Sequence, residues 1–149
     1  MKPVPLKQQA IRLLARREYS RAELESRLVG KGAVRADVQS VLDELTAVGL
    51  LSNERYARSI ANRNVGRASS RNIASALKGK GVGGDDIAAA IAEAGIDDDA
   101  TLIALWQRRF GTPPANDKER ARQVRFLQSR GFSLTAIFKL LRAEESERS

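Results

Sequence analysis

Three glycines, Gly32, Gly81 and Gly131, stand 49 and 50 residues apart, each in the same setting. A leucine lies four residues before each (Leu28, Leu77, Leu127) and a cation immediately before (Lys31, Lys80, Arg130). Six residues after each comes an aliphatic residue (Val38, Ile87, Ile137). Val41 and Leu42, Ala90 and Ile91, and Leu140 and Leu141 follow three and four positions later. A glycine just past a helix takes the left-handed conformation that a Cβ resists, so each marks a helix end followed by a new helix. A unit of about 50 residues buries little surface alone, so such units stack on their neighbours. The expected fold is therefore all-α: three tandem three-helix repeats over 1–51, 52–96 and 97–149, the last with a frayed C-terminal tail. Stacking of this kind predicts an elongated, curved, solenoid-like body.

The helices themselves read from apolar spacing and caps. The first, over about 6–17, carries Ala10, Ile11, Leu14 and Ala15 as its inward stripe. Ser20-Arg21-Ala22-Glu23 has the form of a capping box, opening a helix with Leu24 and Leu28 that ends at Gly32. Val38, Val41, Leu42 and Leu45 define the third. The second unit opens near 53–64, capped by Ser52, with Tyr56, Ile60 and Ala61 inward. The third opens near 98–110, capped by Asp97, with Leu102, Leu105 and Trp106 inward. Gly111-Thr112-Pro113-Pro114 breaks the chain before a helix capped by Asn116 or Asp117, with Ala121, Val124 and Leu127 as its core stripe. No segment alternates long enough for a strand.

Composition narrows the chemistry. The chain of 149 residues has 26 Lys and Arg against 18 Asp and Glu, a net charge of +8, and neither Cys nor His. That removes thiolate chemistry, disulfides and the commonest general base and metal ligand. Asp97-Asp98-Asp99 sits where a helix N-terminus favours negative charge, and Glu144-Glu145 lies in the terminal segment; neither completes a catalytic or metal site. Gly79-Lys80-Gly81-Val82-Gly83-Gly84 has dinucleotide-fingerprint spacing, but a helix rather than a strand precedes it, so it reads as a turn. A non-enzymatic protein without cofactor or metal is expected. The opening Met1-Lys2-Pro3-Val4-Pro5 lacks a signal peptide's apolar core and no apolar run spans a bilayer, so a cytoplasmic monomer without a membrane partner is the expectation.

The positive surplus points to a polyanion or an acidic protein face. From Arg55 to Gly84 there are seven cations, Arg55, Arg58, Arg63, Arg67, Arg71, Lys78 and Lys80, and no acid. Lys118, Arg122 and Arg125 fall on one helical stripe, with Arg130 beyond it. These residues are the candidate surface for nonspecific single-stranded DNA or a protein partner. Phe126 points away from Val124 and Leu127, toward a neighbouring repeat or a stacked base. Sparse aromatics argue against a dedicated strand binder that stacks successive bases. The alternative function is duplex DNA binding by a helix-turn-helix over Ser20–Leu51. Against it, no hairpin wing follows, and Asp85-Asp86 open the equivalent helix of the second unit.

Four segments carry a family resemblance: Leu14-Ala15-Arg16-Arg17-Glu18-Tyr19-Ser20-Arg21-Ala22-Glu23-Leu24, Leu51-Ser52-Asn53-Glu54-Arg55-Tyr56-Ala57, Leu77-Lys78-Gly79-Lys80-Gly81 and Phe126-Leu127-Gln128-Ser129-Arg130-Gly131-Phe132-Ser133. Together they resemble the RecX family over about residues 8–142. One departure is Ser52-Asn53, where the family pattern has an acidic residue or two. The resemblance implies a regulator, mainly an inhibitor, of the RecA recombinase in DNA repair and the SOS response. It also implies action on the RecA–single-stranded DNA filament, without enzymatic activity or cofactor.

Overall fold

The computed structural model describes residues 3–148; Met1, Lys2 and Ser149, including the first two residues of the segment weighed as a signal peptide, lie outside them. Among the described residues there are nine helices and no strand. They are α1 (Leu6–Arg16), α2 (Arg21–Gly30), α3 (Arg35–Ala47), α4 (Asn53–Arg63), α5 (Ser70–Gly79), α6 (Gly84–Ala94), α7 (Asp98–Arg109), α8 (Asp117–Ser129) and α9 (Leu134–Glu147).

The glycine register predicts what is seen. Gly32, Gly81 and Gly131 have φ of +96°, +78° and +93°. In each turn two amides close back on the helix just ended. Gly32, Gly81 and Gly131 donate to the carbonyls of Val29, Lys78 and Gln128 at 2.9–3.0 Å. Ala33, Val82 and Phe132 donate to those of Leu28, Leu77 and Leu127 at 3.3, 3.1 and 3.4 Å. This is the Schellman pairing, in which a left-handed residue satisfies two carbonyls the helix leaves unpaired. The anchoring leucines are themselves fully buried. The Gly79–Gly84 stretch is such a turn, between α5 and α6.

Compactness divides the chain into two units, Met1–Ile60 with Ala76–Ala90 and Ala61–Ser75 with Ile91–Ser149. The first is built on Ala10, Leu13, Tyr19, Leu24, Leu28, Val38, Leu42, Leu45 and Leu51. Burying side chains of this size stabilises by about 1.5–3 kcal/mol each. The inward stripe of α1 differs from expectation: Ala10 and Leu13 are buried and Leu6 and Leu14 partly so, while Ile11 and Ala15 are exposed. Six of the eleven α1 residues are apolar, an arc wider than α2 and α3 can cover, and packing selects the Leu6–Ala10–Leu13 edge.

Within this unit Glu23 is a junction. The Ser20 Oγ accepts from the Glu23 amide at 3.1 Å while the Glu23 carboxylate accepts from the Ser20 amide at 3.3 Å. The same carboxylate takes two bonds of 3.1 Å from Arg17, whose guanidinium lies 3.6 Å from the Tyr19 ring centroid, and pairs with Lys80 at 3.7 Å. Burial works to raise the Glu23 pKa. The Arg17 bonds and charge, the Ser20 amide and Lys80 together outweigh it and hold the carboxyl below its ordinary value. Asn53, first residue of α4, accepts from the Arg21 amide at 2.8 Å and so satisfies the start of α2. The glycine turn also lands here: a Cβ on Gly81 would lie 2.8 Å from Ala22 Cβ.

The second unit repeats that arrangement. Ser69 caps α5 by accepting from the Asn72 amide at 3.1 Å, and Asp98, first residue of α7, accepts from the Ser70 amide at 2.7 Å. A Cβ on Gly131 would lie 2.3 Å from Ser69 Oγ and 2.5 Å from Asn72 Oδ1. Gly32, at the head of the array, has nothing within 4 Å of its equivalent position. The core here is Leu102, Trp106, Leu127, Phe132, Ile137, Leu140 and Leu141. The expected caps Ser52, Asp97 and Asn116 all form.

The stripe of α8 departs from expectation at Ala121, which is exposed; Gln123 is buried instead. Its Oε1 accepts from Trp106 Nε1 at 2.9 Å and its Nε2 donates to the Thr112 carbonyl at 3.1 Å. A polar side chain is stable there because both ends are satisfied. The C-terminal segment is helical through Glu147, held by the Arg120–Glu145 ion pair and by Arg148 donating to the Gly111 carbonyl at 3.1 Å.

Candidate nucleic-acid interface

The stretch from Arg55 to Gly84 is acid-free in sequence, but folding brings carboxylates to three of its cations. In the first unit Arg55 pairs with Glu18 at 3.2 Å, Arg58 with Glu54 at 2.7 Å and Lys80 with Glu23. Lys78 is exposed. In the second unit Arg63, Arg67 and Arg71 are exposed and make no ion pair among the described residues. The core positions Ile73 and Leu77 are buried, so Arg71 and Lys78 do lie off the apolar stripe of α5. Arg108 donates to the Gly66 carbonyl at 3.3 Å, bringing another cation to the loop that carries Arg67.

The remaining four candidates, Lys118, Arg122, Arg125 and Arg130, are exposed on α8 and its C-cap. Two of them belong to a cluster that spacing did not reveal. Phe110, the C-cap of α7, meets Phe126 edge-to-face with centroids 5.5 Å apart. Phe126 therefore packs within its own three-helix group. Arg109 lies 5.9 and 5.3 Å from the Phe110 and Phe126 centroids, Arg122 5.8 Å from Phe110, and Arg130 5.0 Å from Phe126. Each such contact is worth about 0.5–1 kcal/mol at an exposed site.

Local structure fixes this cluster. Phe110 and Gly111 both donate to the Trp106 carbonyl, at 2.8 and 3.0 Å, and Gly111 has φ +68°, so the chain turns sharply and the Phe110 ring folds onto α8. The Gln123–Thr112 bond ties the turn down. A cavity of about 290 Å³ opens beside it, lined by Arg109, Phe110, Thr112, Pro113, Glu119 and Arg122. Glu119 is engaged at the start of α8, where it accepts from the Ala115 amide at 2.9 Å. Guanidinium planes and aromatic rings side by side offer phosphate a fork of donors and a base a flat surface. The sequence reading missed Arg109 and Phe110; their signal was Arg108-Arg109-Phe110 standing directly before the Gly111 break.

Of the helices that a helix-turn-helix would insert into a groove, α6 is the least suited to phosphate. α3 carries Arg35 against Asp37, Asp43 and Glu44, α6 only Asp85, Asp86 and Glu93, and α9 Lys139 and Arg142 against Glu144, Glu145 and Glu147. Among the described residues no group of three or more acidic side chains gathers to hold a metal ion. Nor, among the described residues, is any helix long and apolar enough to cross a membrane.

Comparison with known proteins agrees with this architecture. The first three-helix domain of RecX matches residues 7–45 and the third three-helix domain of RecX matches 97–141. The regulatory protein RecX of Leptothrix cholodnii is 40% identical over 142 residues, covering 95% of this chain and 90% of that one. That of Pseudomonas fluorescens is 41% identical over 140 residues, covering 93% and 90%. The crystal structure of RecX from Lactobacillus salivarius superposes with a TM-score of 0.70 over 94% of each chain at 17% identity, a likeness of fold. With two family domains matched and relatives of this identity aligned nearly end to end, the chain belongs to the RecX family of regulatory proteins.

Proposed function

We propose that this chain regulates the RecA recombinase, mainly by inhibition, by binding the RecA–single-stranded DNA filament in DNA repair and the SOS response. Membership of the RecX family carries this reading. The exposed cations Arg63, Arg67, Arg71, Lys78, Lys118, Arg122, Arg125 and Arg130 support it, because they leave positive charge free for a polyanion or an acidic face. The protein acts as a cytoplasmic monomer, without cofactor or chemistry of its own. Several modest charge contacts on one chain act together, so affinity builds without a deep pocket. Direct binding to single strands is nonspecific; α6, whose charged residues are all acidic, disfavours sequence reading in a duplex groove.

The test is RecA strand exchange and DNA-dependent ATPase with added protein. Both fall as the protein approaches saturation. Arg67→Glu, Arg71→Glu and Lys78→Glu together weaken inhibition by roughly ten- to a hundredfold, since exposed contacts are worth up to about 1 kcal/mol each. Undiminished strand exchange at saturating protein rejects the proposal. Full inhibition by the folded triple variant rejects the part assigned to these cations.

A further inference from the structure

The ion pairs of α1 to α3 leave out a set of cations that share one place. Lys7 pairs with Glu44, Arg17 with Glu23 and Arg21 with Asp43. Arg12, Arg16, Arg27, Lys31 and Arg35 make no ion pair among the described residues, and all but Arg35 line a single groove between α1 and α2. The groove has a volume of about 400 Å³, no carboxylate in its wall, and Leu13 as apolar floor. Gln9 also lines it, its side-chain amide donating to the Val4 carbonyl at 2.8 Å.

The wall charges come as two pairs at i and i+4, Arg12 with Arg16 on α1 and Arg27 with Lys31 along α2 and its C-cap, so each pair forms a short row along its helix. A helix C-terminus favours a cation in its last turn, which explains Arg16 and Arg27. It does not explain Arg12, nor why four like charges converge with no acid among them. Like charges at i and i+4 repel, and that repulsion is relieved by a row of negative charges laid between them. Three of the four are guanidiniums, whose forks take phosphate oxygens two at a time.

The geometry points to a binding groove for the sugar–phosphate backbone of single-stranded nucleic acid, formed by Arg12, Arg16, Arg27 and Lys31 on α1 and α2. The inference rests on the proposed contact with single strands, and assigns it to residues separate from the middle and third helix groups. The evenly charged walls and the lack of any aromatic or deep apolar socket suit a polymer of regularly spaced charges without base selection.

The test compares wild type with a variant carrying Arg12→Gln, Arg16→Gln, Arg27→Gln and Lys31→Gln. All four side chains are exposed, and circular dichroism checks that the fold survives. Fluorescence anisotropy with a labelled DNA oligonucleotide is followed across a salt series. Each phosphate contact contributes about 0.7 to the log–log salt slope of a single strand, so the variant slope is shallower by about 2–3 and its affinity at least tenfold lower. Arg35→Gln, outside the groove, changes the slope by less than one contact. Equal slope and affinity for wild type and variant overturn the groove while leaving RecA inhibition intact. Wild type that inhibits RecA but binds no oligonucleotide overturns it as well, again without touching the regulatory reading. A variant that keeps oligonucleotide affinity but loses inhibition makes the occupant an acidic protein face. Inorganic triphosphate competing as well as the oligonucleotide, charge for charge, makes it a small polyphosphate; both outcomes reject the strand.

Discussion

Replacing each register glycine by alanine separates the cost of a left-handed backbone from the cost of stacking. Gly32→Ala carries the first alone, about 1–2 kcal/mol for a Cβ at positive φ, partly offset by about 0.4–1 kcal/mol from a stiffer unfolded chain. The site is open, so nothing else is added. Gly81→Ala has the same backbone term plus a Cβ 2.8 Å from Ala22 Cβ, a fixed atom of α2. Overpacking of this kind costs about 1–3 kcal/mol. Gly131→Ala drives a carbon into Ser69 Oγ, 2.3 Å away, and Asn72 Oδ1 at 2.5 Å. Relief requires Ser69 to leave the α5 N-cap, a further loss of about 1 kcal/mol. The expected order is Gly32 at about 1, Gly81 at about 2–3 and Gly131 at about 3–4 kcal/mol. At about 2–4 °C per kcal/mol for a chain of this size, the extremes differ in Tm by about 5–10 °C. Urea and thermal unfolding followed by circular dichroism read this order, and a cycle with Ser69→Ala reads the coupling. Because both changes remove the same cap, their costs are less than additive. Equal costs at all three sites, or an additive cycle, refute the stacking account.

Three further outcomes follow from single contacts. The Glu23 carboxyl is held below its ordinary pKa, so its stabilisation is complete above the unfolded value and lost as pH falls through the folded one. The stability gap between wild type and Glu23→Gln, measured by urea midpoints, therefore shrinks from neutral to strongly acid pH, and a constant gap contradicts this. Gln123→Leu strands the indole N–H of Trp106 and frees Thr112, costing about 1–3 kcal/mol; as the chain has one Trp, its fluorescence reports the loosened site directly. An unshifted emission maximum with unchanged Tm counts against it. Asn53→Asp places a charge on the Arg21 amide and in the first turn of α4, raising stability by about 0.5 kcal/mol at low salt and less at high salt, read by denaturation in both.

What was legible in the sequence was what backbone chemistry demands locally. Left-handed turns ask for Gly32, Gly81 and Gly131, and N-caps ask for Ser20, Ser52, Asp97 and Asn116; each stands where spacing indicates. Positions decided by packing were less so. Helical period alone cannot choose among the apolar residues of α1, and Ile11 lost to Leu13 because neighbouring helices cover that edge. Gln123 reads as polar surface until Trp106 supplies its partner. Charge was least legible, since ionic partners are set by space: Arg55 finds Glu18 and Lys80 finds Glu23 across long stretches of chain. The Phe110–Phe126 cluster and the groove of Arg12, Arg16, Arg27 and Lys31 likewise exist only once helices meet.

Asn53 and Asp98 satisfy a helix that the chain has already passed. α2 begins 32 residues before the side chain that accepts from Arg21, and α5 begins 28 residues before the one that accepts from Ser70. On a chain emerging N-terminus first, α2 stays incompletely capped until α4 arrives, and α5 until α7 does. The helix groups of α2 and α5 thus each receive part of their stability from the group synthesised after them. That is a coupling term directed backwards along the chain. A chain cut before Asn53 or Asp98 leaves its last finished helix pair with an open end.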